Sequence, residues 1–138
     1  MSGYLLDTNV AGEARKRERA NPNVLAWFET VEDGELFLSV LVLGEIRKGV
    51  EQARRTDPRR ALALERWLKG LERSYSDRVL PVGAAVADQW GRLSAERSLS
   101  TVDGLLAATA LVHNLTLVTR NVRHVAHTSV GLLNPFES

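Results

Sequence analysis

Short apolar runs, typical of buried strands, alternate along the chain with longer segments of helical periodicity. The runs lie at Tyr4–Leu6, Leu36–Ser39, 79–82, 116–119 and 130–133. Pro81 places the third run at the edge of a sheet, because proline cannot donate a ladder hydrogen bond. Strands that are separated by helices favour parallel pairing, and the pattern therefore predicts an α/β sandwich with helices on both faces of the sheet.

Several residues mark where helices should begin. Asn21-Pro22 and Asp57-Pro58 each combine a capping side chain with proline at the first helical position. Ser39 is a third candidate cap, and we expect its helix to reach about Gln52.

Two further segments differ sharply in polarity. Residues 102–112 are apolar on nearly every side, which predicts a buried helix, and Asn114 can close that helix in a left-handed conformation. Residues 12–20 are polar and basic, and they fit either a helix or a loop.

The composition is that of one ordinary soluble domain spanning residues 1–138. Hydrophobic residues make up 44% and charged residues 25%, which allows a sizeable core and excludes disorder. The absence of cysteine excludes disulfide frameworks, thiolate metal sites and cysteine nucleophiles. The longest apolar run is far shorter than a membrane span, and the start lacks a signal-peptide pattern, so we expect a cytoplasmic protein.

Four polar residues are candidates for chemistry, although each also has a structural interpretation. Asp7 follows the first strand but could cap a helix, and Glu45 lies on an apolar helix face but could pair with Lys48 or be solvated. Asp103 opens the most apolar helix within a capping box, and Asn121 could be a turn residue.

Taken together, these residues point to a metal site. The carboxyl ends of parallel strands meet at one edge of a sheet, which would bring Asp7, Glu45, Asp103 and Asn121 together. Hard oxygen ligands of this kind suit Mg²⁺ or Mn²⁺ and not zinc. Two such ions can clamp a phosphodiester, with one activating water and the other stabilising the leaving oxygen.

Five segments of the chain, taken in order, match the motifs of one family. They are Leu5-Leu-Asp-Thr-Asn9, Ser39-Val-Leu-Val-Leu-Gly-Glu45-Ile-Arg-Lys-Gly49, Asp103-Gly-Leu-Leu-Ala-Ala-Thr-Ala110, Leu117-Val-Thr-Arg-Asn-Val-Arg123 and Leu133-Asn-Pro-Phe136. Over essentially its whole length the chain resembles PIN-domain ribonucleases, specifically VapC-type toxins of VapBC toxin–antitoxin systems and their FitB-like branch.

The resemblance implies a fold, an activity and partners. It implies a three-layer α/β/α sandwich with a mostly parallel central sheet, and an endoribonuclease that uses Mg²⁺ or Mn²⁺ to hydrolyse RNA phosphodiesters. It also implies a homodimer and a cognate VapB-like antitoxin, through which alone the toxin would contact operator DNA.

The resemblance also assigns roles to individual residues. Asp7, Glu45 and Asp103 correspond to the family's metal-binding carboxylates, and Asn121 takes a fourth catalytic position. The hydroxyl groups expected to support these ligands belong to Thr8, Ser39 and Thr119.

The sequence departs from the family pattern beside the site. His124-Val125 stands where Asp-Phe is common, and Gly104 stands where Ala or Ser is frequent. Losing that acidic position reduces the negative charge at the site, so we expect one ion to bind the free protein weakly and a second to arrive with substrate.

Lys and Arg total 18 against 17 Asp and Glu, so the net charge of +1 does not by itself indicate a polyanionic partner. Two basic runs, 15–19 and 54–60, are either solvated faces or a rim that follows phosphates. Arg120 and Arg123 are the stronger candidates for RNA contact, because they flank Asn121. His124 could also touch substrate.

Two other functions compete with the nuclease. One is a catalytically weak PIN domain that serves mainly as the binding partner of a DNA-binding antitoxin. The three retained carboxylates argue against it, because clustered uncompensated charges are costly. The other is a receiver-like signalling domain, and the chain lacks the acidic pair and late lysine that such domains share.

Overall fold

The computed structural model describes residues 3–137, and its central sheet has five strands that are all parallel. The strands are β1 Tyr4–Leu6, β2 Leu36–Ser39, β3 Val79–Leu80, β4 Thr116–Val118 and β5 Leu132–Leu133. Their order across the sheet is β3-β2-β1-β4-β5. The α/β prediction is therefore confirmed, and β3 lies at an edge as its following proline predicted.

Seven α-helices within residues 3–137 flank this sheet in a three-layer α/β/α sandwich. They are α1 Thr8–Arg15, α2 Pro22–Glu29, α3 Val40–Thr56, α4 Pro58–Ser74, α5 Ala84–Glu96, α6 Thr101–Val112 and α7 Val122–Val125. Short 3-10 helices form at Arg17–Arg19 and Asp33–Glu35. Among the helices, α3 packs most extensively against α4, and α5 against α6.

The predicted helix caps are confirmed. The side-chain oxygens of Asn21, Ser39 and Asp57 accept hydrogen bonds from backbone N–H groups in the first turns of α2, α3 and α4. Asn114 follows α6 with a φ of 56°, the left-handed conformation that the sequence predicted. Local side-chain chemistry therefore sets these helix ends.

Several predicted boundaries were wrong. The segment expected to be helix or loop was 12–20, but α1 already begins at Thr8. The reason is that Asp7, directly after β1, caps the helix with its side chain. α3 continues four residues beyond Gln52, since its last turn packs against α4. β5 is shorter than the apolar run 130–133, and the turn of helix that forms α7 was not expected.

The core lies between the sheet and the helices. Leu5, Leu38, Leu117 and Val118 from the strands are at most 2% exposed, and α6 is buried along most of its length, as its all-round apolar sequence predicted. None of the helices within residues 3–137 is long and apolar enough to cross a membrane.

Gly104 in α6 lies where the indole of Trp90 on α5 packs against it. A Cβ at this position would lie 2.9 Å from Trp90 Cδ1 and 3.1 Å from Nε1. The departure from Ala or Ser that the sequence shows here thus matches a bulky neighbour. This contact lies in the first turn of α6, next to Asp103.

Replacing Gly104 by alanine should destabilise the protein. The gain in helix propensity is about 1 kcal/mol, whereas overpacking against a rigid ring costs about 1–3 kcal/mol. We therefore expect the free energy of unfolding, measured in urea, to fall by roughly 1 kcal/mol. Gly70→Ala in α4 is the matched control, because its Cβ would meet nothing within 4 Å. An equal gain for both variants would contradict the packing of Trp90 on Gly104.

Candidate active site

The carboxyl ends of the three central strands meet at one edge of the sheet, as parallel pairing requires. Asp7 follows β1, Ser39 ends β2, and Thr119 follows β4. The Asp7 backbone N–H donates to the Val118 carbonyl at 2.9 Å, which ties the first and third of these ends together. The edge opens into a pocket of about 600 Å³.

All four residues singled out from the sequence line this pocket. Its lining residues are Asp7, Thr8, Asn9, Glu45, Ser100, Thr101, Val102, Asp103 and Asn121. They come from the start of α1, the second turn of α3, the start of α6 and the start of α7. The topology therefore gathers side chains that are more than 100 positions apart in sequence.

Asp7 is the buried member of the set, with 8% of its surface exposed. Its Oδ1 accepts from the Thr8 N–H at 2.7 Å, and its Oδ2 accepts from the Thr119 hydroxyl at 2.7 Å and from Asn9 Nδ2 at 3.4 Å. Thr119 Oγ1 in turn accepts from the Asn121 N–H at 3.0 Å. This chain of bonds fixes the carboxylate against the end of β4.

Burial raises the pKa of Asp7 above its usual value, and the nearby charges of Glu45 and Asp103 raise it further. The hydrogen bonds from Thr119 and Thr8 oppose the shift without cancelling it. The neighbours of Asp7 therefore stabilise its ionised form too little to offset the cost of burial.

Glu45 and Asp103 are each held by a neighbour. Glu45 is exposed, and its Oε1 accepts from the Thr8 hydroxyl at 2.6 Å. Asp103 Oδ2 lies 3.3 Å from His124 Nδ1, and the backbone N–H of Asp103 donates to Ser100 Oγ at 3.2 Å. The capping interpretation of Asp7 is therefore confirmed. For Asp103 the Ser100 half of the predicted capping box forms, and both carboxylates also line the pocket.

The expected supporting hydroxyls occupy different places. Thr8 and Thr119 touch the carboxylates directly, as described above. Ser39 is fully buried and its Oγ accepts from the Leu41 N–H at 3.0 Å, so it caps α3 and is not among the residues that line the pocket.

The two arginines beside Asn121 do not line the pocket either. The Arg120 guanidinium stacks over Phe136 at 4.4 Å, and Arg123 is exposed.

Sequence reasoning gave no separate role to Asn9, which joins two parts of the site. Its side chain donates to Asp7 and accepts from the Arg120 N–H at 3.2 Å. Its place in the first motif was the only available signal.

The donor set fits a divalent cation, although the carboxylates do not converge. Within residues 3–137, no three Asp, Glu, His or Cys side chains are already gathered around one ion position. The reason lies in the bonds described above, which hold Glu45 toward Thr8 and Asp103 toward His124. In the same part of the chain, no Lys or Arg pairs with any of the three carboxylates. An oxygen-lined site without its own cation suits Mg²⁺ or Mn²⁺.

Comparison with known proteins identifies the family. The model of the PIN domain family matches residues 4–128. The chain therefore belongs to the PIN domain family, in its VapC-type branch.

The relatives cover nearly the whole chain. Toxin FitB of Neisseria gonorrhoeae is 29% identical over 96% of this chain and 97% of its own length. The VapC ribonuclease Y4jK of Sinorhizobium fredii is 30% identical over 96% and 97% of the two chains. The crystal structure of FitAcB from Neisseria gonorrhoeae superposes with a TM-score of 0.87 at 28% identity, covering 98% and 99%. Other structures with this fold are toxin–antitoxin complexes, some bound to DNA.

Asp7→Asn should stabilise the metal-free protein at neutral pH. Asparagine keeps the shape of Asp7 and removes the buried charge, so in EDTA we expect the free energy of unfolding to rise on the order of 1 kcal/mol. Because the folded-state pKa of Asp7 is raised, the destabilising charge is present above that pKa and lost below it. The advantage of asparagine should therefore shrink as the pH falls.

Urea unfolding of both proteins at several pH values measures this difference. Saturating Mg²⁺ should reverse the order, because a ligand that binds only the folded wild-type site stabilises it. Lower stability of Asp7→Asn at every pH would mean that the hydrogen bonds outweigh the cost of burial.

Proposed function

We propose that this protein is a divalent-metal-dependent endoribonuclease and the toxin of a toxin–antitoxin pair. The observation that carries the proposal is the pocket at the sheet edge, which is lined by three carboxylates from separate elements without a compensating Lys or Arg among residues 3–137. The names of the relatives, a toxin and a VapC ribonuclease, support the same function. A cognate antitoxin is the proposed partner, and the single PIN domain is proposed to act in the cytoplasm.

Each residue has a proposed task. Asp7, Glu45 and Asp103 hold Mg²⁺ or Mn²⁺, and Asn121 adds a neutral oxygen or amide N–H where the phosphate enters. The bound ions would lower the pKa of water and stabilise negative charge on the phosphate.

The supporting bonds keep this arrangement ready. Thr119 fixes the orientation of Asp7, and Thr8 links Asp7 to Glu45 through its backbone N–H and its hydroxyl. A buried carboxylate that is held by hydrogen bonds from neutral donors keeps its charge available for a cation. Because water activated by the ions would be the nucleophile, the protein itself needs no nucleophilic side chain.

Cleavage of total cellular RNA by the purified protein tests the function. With Mg²⁺ or Mn²⁺ we expect discrete fragments, and with EDTA none. Asp7→Asn should abolish cleavage, whereas Thr119→Val should lower it by about 10–100-fold, because Thr119 only orients the ligand. Asp88→Asn is the matched control, since Asp88 is an exposed carboxylate on α5 paired with Arg92.

Two outcomes would contradict parts of the proposal. If well-folded, antitoxin-free protein cleaves nothing with either metal, the protein acts as a regulatory binding module. If cleavage survives in Asp7→Asn, the site assignment is wrong.

His124 lowers the negative charge available to a metal ion, because it stands beside Asp103 where an acidic residue would add to the set. Calorimetry of the free protein with Mg²⁺ should accordingly show a single weak site. His124→Asp should tighten that site by up to about tenfold, since affinity rises with the charge of the ligands. His124→Asn, which removes the imidazole without adding charge, should not. Two tight Mg²⁺ sites in the unaltered protein would sink this prediction.

A further inference from the structure

The antiparallel pair of helices α3 and α4 carries a local excess of positive charge. Residues 40–74 contain nine Lys and Arg against five Asp and Glu, a net charge of +4. The whole chain has a net charge of +1, so the remainder of the chain carries −3. The near-neutral total thus conceals a divided charge distribution.

Ion pairs use only part of this positive charge. Arg47 and Arg54 on α3 are bound by Glu51 of the same helix and by Glu65 of α4, at distances of 2.7–3.1 Å. Arg47 meets Glu65 through both of its terminal nitrogens, so this arginine is committed to holding the two helices together.

The other cations of the helix pair have no such partners. Within the described residues 3–137, the side chains of Lys48, Arg55, Arg59 and Arg60 form no ion pair or hydrogen bond, and all four are exposed. Like charges that remain unpaired on a surface repel one another. Arg55 lies in the last turn of α3, where the helix dipole favours a cation, but none of the four has a counter-charge within the described residues.

The unpaired cations of α3 lie on the helix face that leads out of the pocket. Glu45, Lys48, Gln52 and Arg55 are spaced three, four and three residues apart, which places them in one row along the helix. The row faces away from the buried residues Val42, Ile46, Val50 and Ala53. Since a helix rises 1.5 Å per residue, Arg55 lies about 15 Å from the Glu45 end of the row.

We infer that this cationic row, formed by Lys48, Gln52 and Arg55, is the surface along which the phosphate backbone of RNA lies beside the pocket. The inference rests on the proposed ribonuclease function. An acidic pocket repels a polyanion, and a flanking row of free cations compensates for this by binding phosphates outside the reacting position.

The salt dependence of RNA binding tests the assignment. A fluorescein-labelled, mixed-sequence single-stranded RNA is titrated by anisotropy at several KCl concentrations, in EDTA and in the Asp7→Asn background, so that no cleavage intervenes. Each phosphate contact on a single strand contributes about 0.7 to the slope of log K against log salt. Lys48→Gln/Arg55→Gln should therefore reduce the slope by about 1.4.

The matched control is Arg66→Gln/Arg73→Gln on α4. These arginines are also exposed and unpaired within residues 3–137, and their loss changes the net charge equally, but they lie outside the row. We expect the control to leave the slope unchanged. Equal loss of slope in both double variants, no loss in either, or no binding by the parent would overturn the assignment.

Two further readouts separate this inference from the proposed function. Without the Asp7→Asn background and with Mg²⁺, absence of RNA cleavage alongside a row-dependent binding slope would refute the nuclease and leave the RNA surface standing. RNA cleavage together with a binding slope that Lys48→Gln/Arg55→Gln leaves unchanged would support the nuclease and refute the RNA surface. A labelled oligoglutamate peptide serves as a second probe. If it binds through Lys48 and Arg55 while RNA does not, the row contacts an acidic protein and the RNA assignment is wrong.

Discussion

The structure depends on a carboxylate that is buried where charge is expensive. Asp7 caps α1, hydrogen-bonds the end of β4 through Thr119, and lies almost wholly out of solvent. Burial and two neighbouring carboxylates raise its pKa, so the fold gains a fixed anchor at the cost of an unfavourable charge. A bound divalent cation would remove that penalty, because it supplies the positive charge that the described residues do not. The charge of Asp7 therefore lowers the stability of the metal-free protein and at the same time favours the binding of a cation.

The parallel sheet explains why the site forms at this edge. The strands β1, β2 and β4 lead into α1, α3 and α7, which begin at this edge, and the start of α6, which follows α5, lines the same pocket. Unpaired N–H groups at helix starts favour negative charge, and Asp7 and Asp103 both occupy such positions. The topology thus offsets part of the repulsion that clustering the carboxylates creates.

Sequence reasoning succeeded where the determinants are local. Proline after a capping residue located two helices, and Asn114 closed α6, because these signals act within a few residues. The meeting of Asp7, Glu45, Asp103 and Asn121 in one pocket was also predictable, because strand ends in a parallel sheet lie at one edge, whereas Asn9 was missed. What could not be predicted depends on contacts that are distant in sequence. The packing of Trp90 on Gly104 and the approach of His124 to Asp103 require the assembled helices, and no local pattern announces either.

The same reasoning shows why net charge was a poor guide to the partner. A total of +1 fits a protein with no polyanionic ligand, yet it also fits an acidic pocket beside a cationic helix pair. The structure separates these cases because it shows which charges neutralise one another. Glu51 and Glu65 bind Arg47 and Arg54, and so those two arginines serve the packing of α3 on α4. Lys48 and Arg55 lie on the same helix without such partners, so their charge remains open to a ligand outside the chain.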